Sequence, residues 1–131
     1  MSTIESAAAG SYEPAAIYYY DSDCVEYVKE DSLCLYERVD ERLTLIKDAT
    51  GHRLVGFKLK GFRNVFEKLK SSLELSDRHF VSIVSAIEFV YGALGEAVFN
   101  DGKRAAAYKA AYQLAVNDNV RLGHDEMLRA A

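Results

Sequence analysis

Cysteine is scarce in this chain. Cys24 and Cys34 are too few for a disulfide framework, and their spacing matches no zinc pattern. No basic stretch followed by an apolar run opens the sequence, so no secretory leader is read there. The two cysteines are therefore expected to be reduced thiols in a cytoplasmic protein. Three histidines, His52, His79 and His124, are too scattered for a metal site and read as solvent-exposed bystanders. A single proline and eight glycines in 131 residues exclude extensive low complexity. Gly-x-Ser-x-Gly, a nucleotide loop and His-Glu-x-x-His are all missing, so no catalytic residue, metal ligand or cofactor site is assigned. Asp21 and Asp23 look like the start of a calcium loop, but the later ligands are lacking. An acidic turn is the better reading.

What the chain does contain is apolar residues, at 50%, enough for a core within one domain. Residues 1–14, MSTIESAAAGSYEP, are small and polar and are expected to form a disordered tail. Residues 15–131 then form a single α+β domain, with a β-meander over 15–61 and a helical half over 62–131. The net charge of −4 is unevenly spread. Residues 12–51 hold ten acids and four bases, whereas residues 52–70 hold six Lys/Arg and one Glu.

The hydrophobic period changes near Gly61. Before it, five alternating segments are expected as strands: Ile17–Tyr20, Cys24–Lys29, Leu33–Arg38, Arg42–Lys47 and Arg53–Lys60. Asp, Ser and Gly clusters separate them and supply the turns, Gly51 being the residue suited to a positive φ. Connections this short imply antiparallel neighbours. Setting Lys29 opposite Leu33, Arg38 opposite Arg42 and Lys47 opposite Arg53 gathers Val25, Tyr27, Leu33, Leu35, Leu43, Leu45, Val55, Phe57 and Leu59 on a core face. Cys24, Glu26, Val28, Cys34, Tyr36, Arg38, Arg42, Thr44, Ile46, Leu54, Gly56, Lys58 and Lys60 fall on the other, mixed face. Cys24 and Cys34 are not opposite one another there, which argues against a disulfide.

The run from Tyr20 to Val28, followed by Leu43 to Ile46, Asp48, Gly51 and Leu54-Val55-Gly56-Phe57, resembles a family of small bacterial β-meander domains of no established function. Those domains carry a strand ending in Tyr-Asp, an acidic turn, an alternating strand and a closing Asp-x-x-Gly-x-x-Val-Gly hairpin. The resemblance covers residues 17–60, about a third of the chain. It implies a bacterial source and a fold for the first half, and no active site.

After Gly61, Phe62–Ser71 reads as a short amphipathic helix with Phe62, Val65, Phe66 and Leu69 on one side. A second helix is expected from an N-cap at Ser76 to about Phe99, with Leu75 packing on Phe80 as a hydrophobic staple. Glu88, Glu96 and the lack of basic flanks argue against a membrane span. A third helix is expected over Lys103–Val116, continuing to Leu122 with Gly123 as the stop.

From these faces the expected function is a non-enzymatic interaction or regulatory module, homodimeric, with Phe89, Val90, Ala93, Ala97, Tyr108 and Tyr112 at the interface. A second expectation is a nucleic-acid-associated protein using a basic stripe over 52–70, in which Arg53, Lys58, Lys60, Arg63, Lys68 and Lys70 bind phosphate and Tyr36 stacks a base. The pI of about 5.4 counts against it. A third is a small-molecule or enzymatic site around Cys34, Tyr36 and Arg42.

Overall fold

The computed structural model describes residues 15–72, 80–95 and 100–123. The expected tail, Leu75, Ser76, His79, Ala97 and His124 lie outside them. Seven strands and three helices are described: β1 (Ala16–Tyr19), β2 (Cys24–Val28), β3 (Cys34–Arg38), β4 (Leu43–Asp48), β5 (Leu54–Lys60), α1 (Phe62–Ser72), β6 (Phe80–Ser82), α2 (Ile83–Leu94), α3 (Gly102–Asn117) and β7 (Arg121–Gly123). As expected, this is an α+β fold in which helices pack on a five-stranded antiparallel sheet.

The strand order is β1-β2-β5-β4-β3, and here the expected register needs correction. Strands β3, β4 and β5 do form consecutive hairpins, but Arg38 faces Thr44, not Arg42, and Lys47 faces Leu54, not Arg53. In the regular part of the ladders this is a slip of two residues, which leaves each side chain on its expected face. The pairing of Lys29 with Leu33 does not occur. Strand β2 lies instead against β5, with Tyr27 opposite Phe57 and Val28 opposite Gly56. Strands β2 to β5 thus form a Greek key. Gly56 makes that pairing feasible, because a Cβ at this position would stand 2.1 Å from the Tyr27 carbonyl oxygen. Any other residue would force β2 and β5 apart.

The exchange of partners sends β3 to the sheet edge. Val25, Tyr27, Leu43, Leu45, Phe57 and Leu59 are buried in the core as the alternation predicts, Val55 is buried but outside that core cluster, and Leu33 and Leu35 are 79% and 49% exposed. The core closes over the first group with Phe62, Val65 and Phe66 of α1, Ile83, Ile87 and Val90 of α2, and Tyr108, Ala111 and Leu114 of α3. A register shift in β5, between the Gly56 and Leu54 pairings, turns Leu54 to the helical side, where it meets α3. The alternation had placed Leu54 on the mixed face.

Helix α1 matches its expected range. Asp23, with φ of 51°, organises its start from another part of the chain. Its carbonyl accepts from the Gly61 and Phe62 amides. Its carboxylate Oδ1 accepts from the Arg63 amide at 2.8 Å and from the Tyr18 hydroxyl at 2.7 Å. The second helix begins later than expected. Phe80 and Val81 belong to β6, which pairs with β7, and the helix proper starts at Ile83. Likewise α3 ends at Asn117. Asn119 adopts φ of 50° and redirects the chain into β7, where Leu122 is fully buried. Burial of Leu122 between sheet and helices therefore outweighs local helical preference at both places.

Candidate functional site

The β3–β4 hairpin is fastened to α3 by one carboxylate. Asp40 Oδ1 accepts from the amides of Arg42 and Leu43, each at 2.8 Å. Its Oδ2 accepts from Arg104 Nη2 at 3.0 Å and from the Tyr108 hydroxyl at 2.9 Å. Burial pushes the Asp40 carboxyl up, but the Leu43, Arg42, Tyr108 and Arg104 donors outweigh it and hold the group below the usual aspartate range. Burial, then the hydrogen bond to Asp40, drives the Tyr108 hydroxyl well above an ordinary phenol. Every acceptor position of the carboxylate is in use, so the cluster is a structural clamp.

Beside the clamp, β3, β4 and α3 enclose a groove of about 530 Å³. Ala106, Ala107 and Ala110 form its helical wall, with Val39, Leu45 and Leu54 facing them. Glu37 and Lys47 cross its mouth as an ion pair at 2.6 Å. The small alanine side chains keep α3 from filling the space above the sheet edge.

The outer edge of β3 has no neighbouring strand among the described residues. At the opposite edge, β7 packs beside β1. The Val39 amide donates to the Leu43 carbonyl at 2.9 Å, which makes Val39–Leu43 a hydrogen-bonded pair. In an antiparallel ladder such pairs alternate, so Leu35 and Glu37 also bond toward β4. Cys34, Tyr36 and Arg38 therefore turn their N–H and C=O groups outward. The edge lacks proline, and its ladder with β4 is regular. Its exposed side chains include Leu33, Leu35 and Tyr36, the last at 57%. Of the protections usual at sheet edges, proline and a bulge are absent from this five-residue strand, and charge is confined to Glu37 and Arg38.

On the open face, Tyr36 leans back over its own sheet. Its hydroxyl donates to Glu26 at 3.3 Å, and Lys58 Nζ sits 5.7 Å from its ring centroid. Cys34 donates to the Ser32 carbonyl, and Arg42 Nε donates to the Lys60 carbonyl at 3.0 Å. Cys34 and Tyr36 share the β3 strand, whereas Arg42 is engaged at the far end of β5. The three do not converge. Cys24 is buried, which raises its thiol pKa, and it lies on β2, separated from Cys34 by two strands.

The basic residues do not line up either. Arg53 makes a two-bonded ion pair with Glu30 and a further contact with Asp48 at 3.6 Å. Lys58 and Lys60 lie on the open face, while the Arg63 guanidinium covers the Tyr18 ring on the helical side, 5.6 Å from its centroid. Lys68 is exposed on α1, and the Lys70 side chain lies outside those described. Of the residues assigned to a helical interface, Val90 and Tyr108 are core. Phe89 and Tyr112 are partly buried against the core, and Ala93 is exposed.

Sequence reasoning missed both the Asp40 clamp and the open edge. An aspartate three residues before the start of β4 is an Asx-turn signal that pointed to the first. Among the described residues no group of His, Cys, Asp and Glu could hold a metal ion, and no helix is long and apolar enough to cross a membrane. Comparison with known proteins finds no matching family model, curated protein or solved structure.

Proposed function

We propose that this chain is a non-enzymatic interaction module that binds its partner by strand addition at the outer edge of β3. The observation that carries this reading is the β3 edge, which has no neighbouring strand among the described residues. The outward backbone groups of Cys34, Tyr36 and Arg38 stand next to exposed Leu33 and Leu35, with the groove alongside. An added strand would satisfy the backbone groups and cover the leucines, the mode by which extended peptides join sheet edges. The polar clusters support the same reading, because Asp40 and Arg53 are committed to internal partners. Binding of nucleic acid through the basic segment is the weaker alternative, since its cations are divided between two faces and an acid, Glu26, sits beside Tyr36 and Lys58.

The test is an NMR titration with a blocked synthetic peptide spanning residues 33–39, its cysteine replaced by serine. The amides of Tyr36 and Arg38 are expected to exchange more slowly when the peptide is bound, with Leu35 and Glu37 little changed. Binding elsewhere, or no binding at saturating peptide, overturns strand addition at this edge.

A further inference from the structure

We infer that the strand received by β3 is the β3 of a second copy of this chain, antiparallel and centred on Tyr36. This rests on the strand-addition reading and adds the partner and the register. A two-fold axis perpendicular to the sheet keeps each face on its own side, so residues that meet across it must share a face. It must also match outward-bonding residues with outward-bonding residues. Centring on Tyr36 meets both conditions for the whole strand. Each Tyr36 exchanges both backbone bonds with Tyr36 of the second copy, and Cys34 and Arg38 do so with Arg38 and Cys34 of the second copy.

The side chains agree with that register. Arg38 stands opposite Cys34, Glu37 opposite Leu35, and Leu33 opposite Val39, so no two cationic or two anionic side chains meet directly. Leu33, 79% exposed in the single chain, comes to the groove wall formed by Val39 of the second copy. The Tyr36 ring does not obstruct the approach, since Glu26 and Lys58 hold it back over its own sheet. Centring on Arg38 would oppose two guanidinium groups. Centring on Cys34 or Leu35 would pair Arg38 with a residue outside the strand, and centring on Glu37 would oppose two carboxylates. Five edge residues bury less than the roughly 1,200–2,000 Å² of a standard stable interface, so the dimer is weak and reversible.

Sedimentation velocity from low-micromolar to millimolar protein tests the partner. The mass is expected to rise from 14.6 kDa toward twice that value, with concentration-dependent protection of the Cys34, Tyr36 and Arg38 amides. Tyr36→Pro removes an outward donor without touching a bond to β4, so it should remain folded and monomeric. Oxidative cross-linking in a Cys34→Ser background tests the register. Tyr36→Cys is expected to give covalent dimers, because opposed residues of a bonded pair stand ~5.5 Å apart at Cα, within disulfide reach. Arg38→Cys should not, its two copies being displaced by ~13 Å along the strands. A monomer at every concentration overturns the self-pairing, while protection by the 33–39 peptide would still uphold strand addition. Dimers that persist in Tyr36→Pro, or that cross-link through Arg38→Cys and not Tyr36→Cys, overturn this geometry.

Discussion

Replacing Asp40 by alanine should be among the most damaging single changes in this chain, although the residue lies in a hairpin turn. The cost can be assembled from its four donors. The Tyr108 ring is only 1% exposed, so its hydroxyl would be left buried without an acceptor, at about 1–3 kcal/mol. Arg104 would lose its carboxylate at 3.0 Å. Its side chain remains 26% exposed, so the loss falls below the roughly 3–5 kcal/mol of a fully buried broken pair, at about 1–2 kcal/mol. Arg104 Nε is already buried without an acceptor, which leaves the guanidinium little to fall back on. The amides of Arg42 and Leu43 would each lose the net contribution of a hydrogen bond, at least ~0.5 kcal/mol apiece.

Together these losses come to about 4 kcal/mol. At roughly 2.1 cal/mol/K of unfolding entropy per residue over 131 residues, that lowers Tm by ~15 °C. Urea and thermal denaturation of Asp40→Ala, Tyr108→Phe and the double variant provide the assay. The single Tyr108→Phe change should cost about 1–2 kcal/mol, and the pair should be non-additive by ~1 kcal/mol or more. A loss below about 1 kcal/mol for Asp40→Ala, or strict additivity in the cycle, would refute the clamp as the link between hairpin and helix.

Glycine substitutions should separate sharply by position. Gly56→Ala drives a Cβ into the Tyr27 carbonyl and should cost about 3 kcal/mol or prevent soluble expression, whereas Gly92→Ala, in open space on α2, should stabilise by ~0.5–1 kcal/mol in thermal melts. Asp23→Ala should lose about 2 kcal/mol, from the missing α1 cap and from strain at a positive φ, and Asp23→Gly should recover roughly half of it; equal losses would show that backbone conformation does not contribute. Because the folded pKa of Asp40 is depressed, its contribution is complete above the unfolded aspartate value of ~3.9 and disappears as pH falls through the folded value. Acid denaturation should therefore steepen below about pH 4 and flatten in Asp40→Asn. Glu30 and Glu37 are also lowered, by hydrogen bonds to Arg53 and Lys47 in solvent-accessible ion pairs whose share added salt should reduce, and Asp48 is lowered by its hydrogen bond from Thr50.

The parts of this fold that were legible in the sequence are those decided locally. Alternation placed Val25, Tyr27, Leu43, Leu45, Phe57 and Leu59 on one face, and a register slip of two residues cannot undo that because the side-chain period is two. The amphipathic spacing of Phe62, Val65, Phe66 and Leu69 likewise located α1. What alternation does not encode is which strand neighbours which. The five-residue link from Lys29 to Leu33 reads as a hairpin loop, yet it serves equally to carry the chain past the ends of β5 and β4. The deciding residue, Gly56, acts through an absent side chain against the backbone of β2, a contact with no local signature. The misplacement of Leu33 and Leu35 has the same origin. Their pattern is that of a buried face, and at an edge strand beyond the reach of the helices that face stays open. A strand that carries core-type alternation and lacks a cover among the described residues offers a surface that a second chain can cover. Core-like spacing in β3 and the exposure of its leucines therefore constitute one observation, and that observation favours association at this edge over the helical face, where Phe89 and Tyr112 already pack against the chain's own core.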